Sequence, residues 1–310
     1  MKLTVFLCIL VILKGKQRDW RQPVPADEEE ADMLKLWIVG ASGQIGSAIN
    51  EVLDPLEMEV FNTDKEELDI TDTDEVLNFG VINRPDVIIN CAAVTDTDLC
   101  EKEPELAYRV NALGARNLSI VARKTGAKMV QISTDDVFDG IRHTPYTEFD
   151  DTNPKTVYGR SKRAGENYVK EFTHKHFILR SNWVYGNGNN FVNRVLHAAD
   201  TKDELLIASD QFGSPTSAKD LARIILYLIK TNEYGTYHAT CQGYEFAQEV
   251  LKLAGKRITL RPVVTSESDL SSARPAYAVL DNFILRIVNV YEMPDWRASL
   301  KEYMDERMED

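Results

Sequence analysis

Basic residues are in short supply. The chain of 310 residues carries 36 Lys and Arg against 49 Asp and Glu, a formal charge of −13. A surface this acidic repels polyanions, so nucleic acid is not an expected partner, and an anionic substrate would need a local cluster of cations. Cysteine is scarce too. Cys8, Cys91, Cys100 and Cys241 form no CxxC pair, and none of the five histidines clusters with them. That pattern excludes a disulfide framework and a zinc site, and it suits a reducing compartment such as the cytoplasm. Long apolar runs are missing as well. "LTVFLCILVIL", Leu3 to Leu13, is apolar for 11 residues between Lys2 and Lys14, whereas a spanning helix needs about 20. It has the length of a signal-peptide core, but no small-x-small cleavage site follows it. Internal repeats and low-complexity tracts are absent.

What is present begins after a polar, proline-containing linker. Met33 opens "MLKLWIVGASGQIG", so residues 1–32 are expected to be an extension outside the fold. From Leu34 onward, short apolar runs alternate with longer periodic segments. The runs are 34–39, 58–61, 86–90, 128–133, 176–180 and 205–209; helices are predicted near 44–53, 72–83, 104–125, 156–171, 190–199 and 218–231. This alternation predicts an α/β fold of the Rossmann type, a doubly wound parallel sheet with right-handed crossovers. Residues 33–181 form the expected NAD(P)-binding domain. Residues 182–310, less regular and closing on a helix near 296–307, read as mainly a substrate-binding lobe with some segments returning to the sheet.

Gly40, Gly43 and Gly46 form GxxGxxG directly after the first strand and at the start of the first helix. Glycines there let the chain turn sharply and let a pyrophosphate approach the backbone, with the helix N-terminus supplying N–H groups. Asp64, about 20 residues on, is placed to meet ribose hydroxyls; Lys65 beside it could instead meet a 2′-phosphate, which leaves NADH and NADPH both open. Asp69 and Ile70 could flank the adenine. After the third strand, the small residues Cys91, Ala92 and Ala93 leave room for a dinucleotide.

The chemistry is expected at "YGRSK". Tyr158 and Lys162 stand at i and i+4, on one face of a helix. A phenol with a pKa of about 10 exchanges its proton poorly at neutral pH. An ammonium about 4 Å away contributes about 4 kcal/mol at an effective dielectric of about 20. That favours phenolate by roughly three pK units before desolvation subtracts. Tyr158 so becomes a general acid/base for a carbonyl/alcohol pair. Thr134, ending the fourth strand in "STDDVFDG", is the hydroxyl expected to hold the substrate oxygen. Ser133 should point to the opposite face.

The glycine motif, the Thr-Tyr-xxx-Lys set and their order resemble an extended short-chain dehydrogenase/reductase, and more narrowly the dTDP-4-dehydrorhamnose reductase family. The resemblance runs from about Met33 to the C-terminus. It includes "LDITD" (68–72), "NCAAVT" (90–95), "VNALGARNL" (110–118), "GNNF" (188–191), "DQFGSPT" (210–216) and "ARP" (273–275). It implies that NADPH or NADH reduces the C4 ketone of a dTDP-linked 4-keto-6-deoxyhexose. By the same resemblance Thr134 and Tyr158 would bind the keto oxygen, and Tyr158 would deliver the proton. Lys162 would tune Tyr158 and hold the nicotinamide ribose. Gly43, Gln44, Ile45, Asp69, Ile70, Ala93, Val94 and Thr95 would contact the cofactor, and Asp135, Trp183 and Asn190 would shape the sugar pocket. A soluble cytoplasmic enzyme follows, with a homodimer as a candidate assembly.

Alternatives stand beside several of these roles. Trp183 could be a core aromatic, Asn190 a helix cap, and Asn111 either a structural or an active-site residue. The family usually reads STDYVF, and Asp136 replaces that tyrosine here; "CQGYEFA" (241–247) is shorter than usual. Asp135-Asp136 superficially resembles the Asp-Glu pair of nucleotide-sugar 4,6-dehydratases, whose fold epimerases share. A non-catalytic regulatory subunit is the third reading.

Overall fold

Five of the six apolar runs become strands of one parallel sheet. The computed structural model describes residues 33–208, 211–241, 246–263, 275–289 and 291–309. The expected extension over 1–32 lies outside the described residues, as do parts of three family segments: 242–245, Asp210, and Ala273 with Arg274.

The strands are β1 (Leu34–Val39), β2 (Met58–Thr63), β3 (Val87–Asn90), β4 (Lys128–Thr134), β5 (His176–Ser181), β6 (Val184–Tyr185), β7 (Glu204–Ala208), β8 (Thr216–Ser217), β9 (Gly235–His238) and β10 (Thr259–Val263). The six-stranded sheet runs β2-β1-β3-β4-β5-β9 with every pair parallel. The sixth apolar run does not join it. That run forms β7, which pairs with β10 in a separate two-stranded sheet. The sixth place goes to β9, "GTYH", a four-residue edge strand that opens on glycine and carries no apolar run to announce it.

Strand alternation divides the core in two. Leu36, Ile38, Val87, Ile89, Val130 and Ile132 pack on α1 (Gln44–Val52) and, further along the chain, on Leu221, Ile224 and Ile225. Trp37, Val39, Ile88 and Met129 face the other way, toward α2 (Thr73–Asn83). Both faces are covered, which is why the strands read as continuous apolar runs. The segment predicted as one helix over 104–125 is divided. After α3 (Thr97–Lys102), α4 (Pro104–Tyr108) passes through a π-helical stretch, Arg109–Gly114, into α5 (Ala115–Thr125). Such widened turns mark places where a side chain is redirected, and here the side chain is Asn111.

The remaining helices are α6 (Val157–Phe172), α7 (Phe191–Thr201), α8 (Ala218–Leu228), α9 (Phe246–Leu253), α10 (Phe283–Val288) and α11 (Trp296–Glu309). Tyr185, Val192, Val195, Phe246, Val250, Trp296 and Leu300 build a further core between α7, α9 and α11. Among the described residues no helix is long and apolar enough to cross a membrane.

Candidate active site

The chain leaves β1 through Gly40 at φ +76°, where a Cβ would lie 2.7 Å from the Ala92 nitrogen. Only glycine lets the turn after β1 and the loop after β3 meet this closely. Asp64, just past β2, takes the Ser42 N–H on its two carboxylate oxygens at 3.2 and 3.0 Å. Part of the carboxylate expected at a ribose therefore stiffens the glycine turn. Gly43 is the N-cap of α1 and supplies no side-chain cap; the first turn contains no acid. A Cβ on Gly43 would meet only the Gly40 oxygen, at 3.3 Å. Gly46 sits in the first turn of the helix.

The first N–H groups of α1 are left for an anion, with the helix dipole in favour. Gln44 donates to the Asn189 carbonyl at 3.0 Å, while its buried Oε1 accepts no hydrogen bond among the described residues. An open helix start and an orphan buried acceptor fit a dinucleotide. Ile45 follows in the same turn, partly buried against the core.

The rest of the expected cofactor wall is anchored from behind. Asp69 accepts the Thr71 N–H at 2.8 Å, a bond that holds its carboxyl below the usual range. Ile70 is buried in the core facing α2 and α5. Ala92 donates to Asn90 Oδ1 at 3.1 Å. Val94 is bracketed: its N–H donates to Asn111 Oδ1 at 2.8 Å and its carbonyl accepts from Asn111 Nδ2 at 3.0 Å. Asn111 also donates to Ser161 Oγ at 3.0 Å. The loop carrying Ala93, Val94 and Thr95 is thereby tied to α6, and Asn111 works as its clamp.

Thr156 caps α6 by accepting the Gly159 N–H at 2.9 Å. A Cβ on Gly159 would lie 2.1 Å from the Asp136 oxygen, so the glycine inside "YGRSK" lets α6 lie against the turn that follows β4. Tyr158 is half-buried beside Val94, Cys100 and Val157. Lys162 is 4% exposed and donates to the Ile132 carbonyl of β4 at 2.7 Å. Burial pulls its pKa down to about 8, against the opposing negative charge of Glu166.

Thr134 ends β4 and is buried. Its hydroxyl donates to Asp135 Oδ1 at 2.9 Å and accepts the Asp136 N–H at 3.2 Å. A 3-10 turn over Asp135–Val137 follows the strand directly, so strand alternation ends at Thr134.

Trp183 is half-buried with its backbone in the left-handed region, φ +44°. Its ring stacks on Phe191 at 6.5 Å and passes Gly213 so closely that a Cβ there would lie 2.7 Å from Cε2. Asn190 is 3% exposed and caps α7, its Oδ1 accepting the Asn193 N–H at 3.0 Å. Its Nδ2 donates to the carbonyls of Gly186 and Gly188. The geometry thus gives Asn190 a loop-holding role, and these bonds use its side chain within the protein.

Asn117, in a sequon, donates to the Ile70 carbonyl at 3.0 Å and is 1% exposed, closed to glycosylation. Cys91, Cys100 and Cys241 are free thiols, and burial pushes Cys91 up to about 12. Sequence reasoning did not single out Glu166, Arg180 and His238, a buried polar chain behind β4 and β5. The spacing of Glu166, four residues after Lys162, was the one available signal.

The family described as RmlD substrate binding domain matches residues 34–308. The spore coat polysaccharide biosynthesis protein SpsK of Bacillus subtilis (strain 168) is 39% identical over 280 residues, 89% of this chain and 98% of that protein. A crystal structure of a dTDP-4-dehydrorhamnose reductase from Clostridium acetobutylicum ATCC 824 is similar with a TM-score of 0.86 at 44% identity, covering 88% of this chain and 99% of that one. A dTDP-4-dehydrorhamnose reductase from Bacillus anthracis (strain Ames), in complex with NADP, gives a TM-score of 0.86 at 40% identity, covering 88% and 99%.

Proposed function

The chain belongs to the dTDP-4-dehydrorhamnose reductase family, and from that premise we propose that it reduces the C4 ketone of dTDP-4-dehydro-L-rhamnose to dTDP-L-rhamnose with NADPH or NADH. One observation carries the assignment of roles. The helix bearing Tyr158 and Lys162 is locked onto the end of β4, where Thr134 stands, through the Lys162–Ile132 bond and the close approach at Gly159.

Gly40, Gly43, Gln44, Ile45 and Gly46 would receive the pyrophosphate. Asp64, Asp69 and Ile70 would border the adenosine, and Ala92, Ala93, Val94 and Thr95 would line the dinucleotide beyond it. When bound, the reduced nicotinamide supplies the hydride. As charge develops on the ketone oxygen, the Thr134 hydroxyl turns from Asp135 to hold it, an interaction that strengthens toward the transition state. Tyr158 gives its proton to the same oxygen. Lys162, held charged at neutral pH, steadies the phenolate left behind. Asp135 orients Thr134 and, with Trp183, borders the sugar.

The same reading puts the enzyme in the cytoplasm, with a homodimer as its expected assembly. The test is stoichiometry with dTDP-4-dehydro-L-rhamnose and each coenzyme. One coenzyme oxidised per product formed supports the reading. Product without net coenzyme oxidation points to a dehydratase or epimerase, which recycles its cofactor. No turnover together with a stoichiometric protein partner points to a regulatory subunit.

A further inference from the structure

One turn beyond Lys162, on the same stripe of α6, stands Glu166, with its side chain 0% exposed. Its carboxylate gathers four donors. Oε1 accepts from Ser133 Oγ at 2.7 Å and Arg180 Nε at 2.8 Å; Oε2 accepts from Arg180 Nη2 at 2.7 Å and Arg163 Nη1 at 3.2 Å. Arg180 lies over the Phe138 ring at 5.2 Å, and its Nη1 is 3.5 Å from His238 Nε2. His238 Nδ1 faces two acceptors, the carbonyls of Tyr146 at 3.0 Å and Asp281 at 3.1 Å. That assigns the proton to Nδ1 and leaves Nε2 to accept from Arg180.

A buried ion pair is a poor source of net stability, because apolar side chains of similar volume often serve as well. Packing alone therefore does not account for a carboxylate here. Its position does. Lys162 bonds to Ile132, and Glu166 bonds to Ser133. Successive turns of the helix grip successive residues of β4, and the next residue is Thr134.

We propose that Glu166 is a positioning residue for the reduction: it fixes the end of β4 against the helix face that carries Tyr158 and Lys162, and its charge keeps the buried Lys162 ammonium protonated. The catalytic half of this inference rests on the reductase reading. The charge half does not.

The surroundings support the charge half. Lys162 feels Cys91 from the loop after β3, Cys100 from α3 and Glu166 from its own helix, on which Tyr158 stands one turn earlier. Burial pushes Cys91 up to about 12 and Cys100 up to about 11, so both thiols are neutral at working pH. Among the groups acting on Lys162, Glu166 is the first to oppose burial. Glu166 itself meets Arg180, Arg163, Lys170 and Ser133. Burial acts to raise its pKa, but the bonds from Arg180 and Ser133 prevail and hold it down at about 2. Beyond Arg180, burial pushes His238 down to about 3, so the imidazole is neutral.

The experiment compares lysine titrations by NMR in the full chain and in Glu166→Gln, alongside pH–rate profiles. Loss of the carboxylate should lower the Lys162 pKa by roughly one unit or more and move the alkaline limb of kcat/KM down with it. An unchanged Lys162 titration overturns the charge role. Glu166→Gln strips Arg180 of its partner and can unfold the chain, so Ser133→Ala is the second variant. It removes the strut and leaves every charge in place. It should lower kcat by about threefold to tenfold, the scale of a small misplacement, with coenzyme affinity and the Lys162 titration unchanged. An unchanged kcat overturns the positioning role. If the unaltered protein reduces no keto sugar, the reductase reading fails, and the NMR comparison still decides the charge role.

Discussion

The α6–β4 junction and the lobe around Trp183 hold their side chains by different means. At the junction, Lys162 and Glu166 are buried and bonded to two consecutive strand residues. In the lobe, the Gly186–Asn190 loop and the start of α7 are held by longer reaches. Asn187 donates to Glu51 at 2.7 Å in an exposed contact, Tyr303 donates to the Gly186 carbonyl at 2.9 Å, and Arg307 donates to Asn193 at 2.6 Å. Trp183 adds a backbone conformation that a bulky residue seldom adopts. Proton transfer needs a geometry fixed by regular elements. Sugar recognition needs a surface that loops can reshape while the sheet stays constant.

Substitutions should divide along that line. Lys162→Ala is the largest expected effect. It should lower kcat/KM by about 10³-fold or more and weaken coenzyme binding as well, read by steady-state kinetics and a binding titration. A loss confined to either quantity would split its two assigned roles. Thr134→Val should follow, at about 10²-fold in kcat, the scale of one donor to a developing oxyanion. A change in KM alone would move Thr134 to the recognition side. Trp183→Ala should act chiefly on KM, by about tenfold, the worth of a single aromatic contact. Trp183→Gly should do the same, yet unfold in urea at a free energy about 1 kcal/mol higher than Trp183→Ala, because glycine tolerates the left-handed backbone. Equal stability of the two variants would show that no strain resides there.

A separate effect lies in acid stability. Glu166 has its pKa lowered from 4.5 to about 2 in the folded chain. Its contribution is therefore complete above pH 4.5 and is lost as pH falls toward 2. Urea unfolding of Glu166→Gln should show a shallower loss of stability across that window than the parent does.

The same division governs what the sequence discloses. The glycine turn, Tyr158 and Lys162 are legible because regular elements convert spacing into geometry. A strand end followed by glycines is a tight turn into a helix start, and i, i+4 on a helix is one face. The Lys162–Glu166 spacing is legible on the same terms. Its meaning is not, since Ser133 and Arg180 are brought to Glu166 only when the sheet assembles. Asn111 was open between two roles until the π-helical turn aimed it at Val94. β9 escaped notice because an edge strand of four residues needs no apolar run. The run at 205–209 was visible as a strand, but nothing local says which sheet it joins. The left-handed backbone of Trp183 follows from how the segments around Phe191 and Gly213 pack, and no sequence pattern encodes that.

The most direct test of proton transfer from α6 is Tyr158→Phe at saturating sugar, with kcat and coenzyme affinity measured on the same preparation. Turnover should fall by about 10²-fold or more, while coenzyme affinity stays within about twofold of the parent, because the phenyl ring keeps its packing and Lys162 keeps its place. Turnover near the parent value would place the proton donor elsewhere and contradict the assignment.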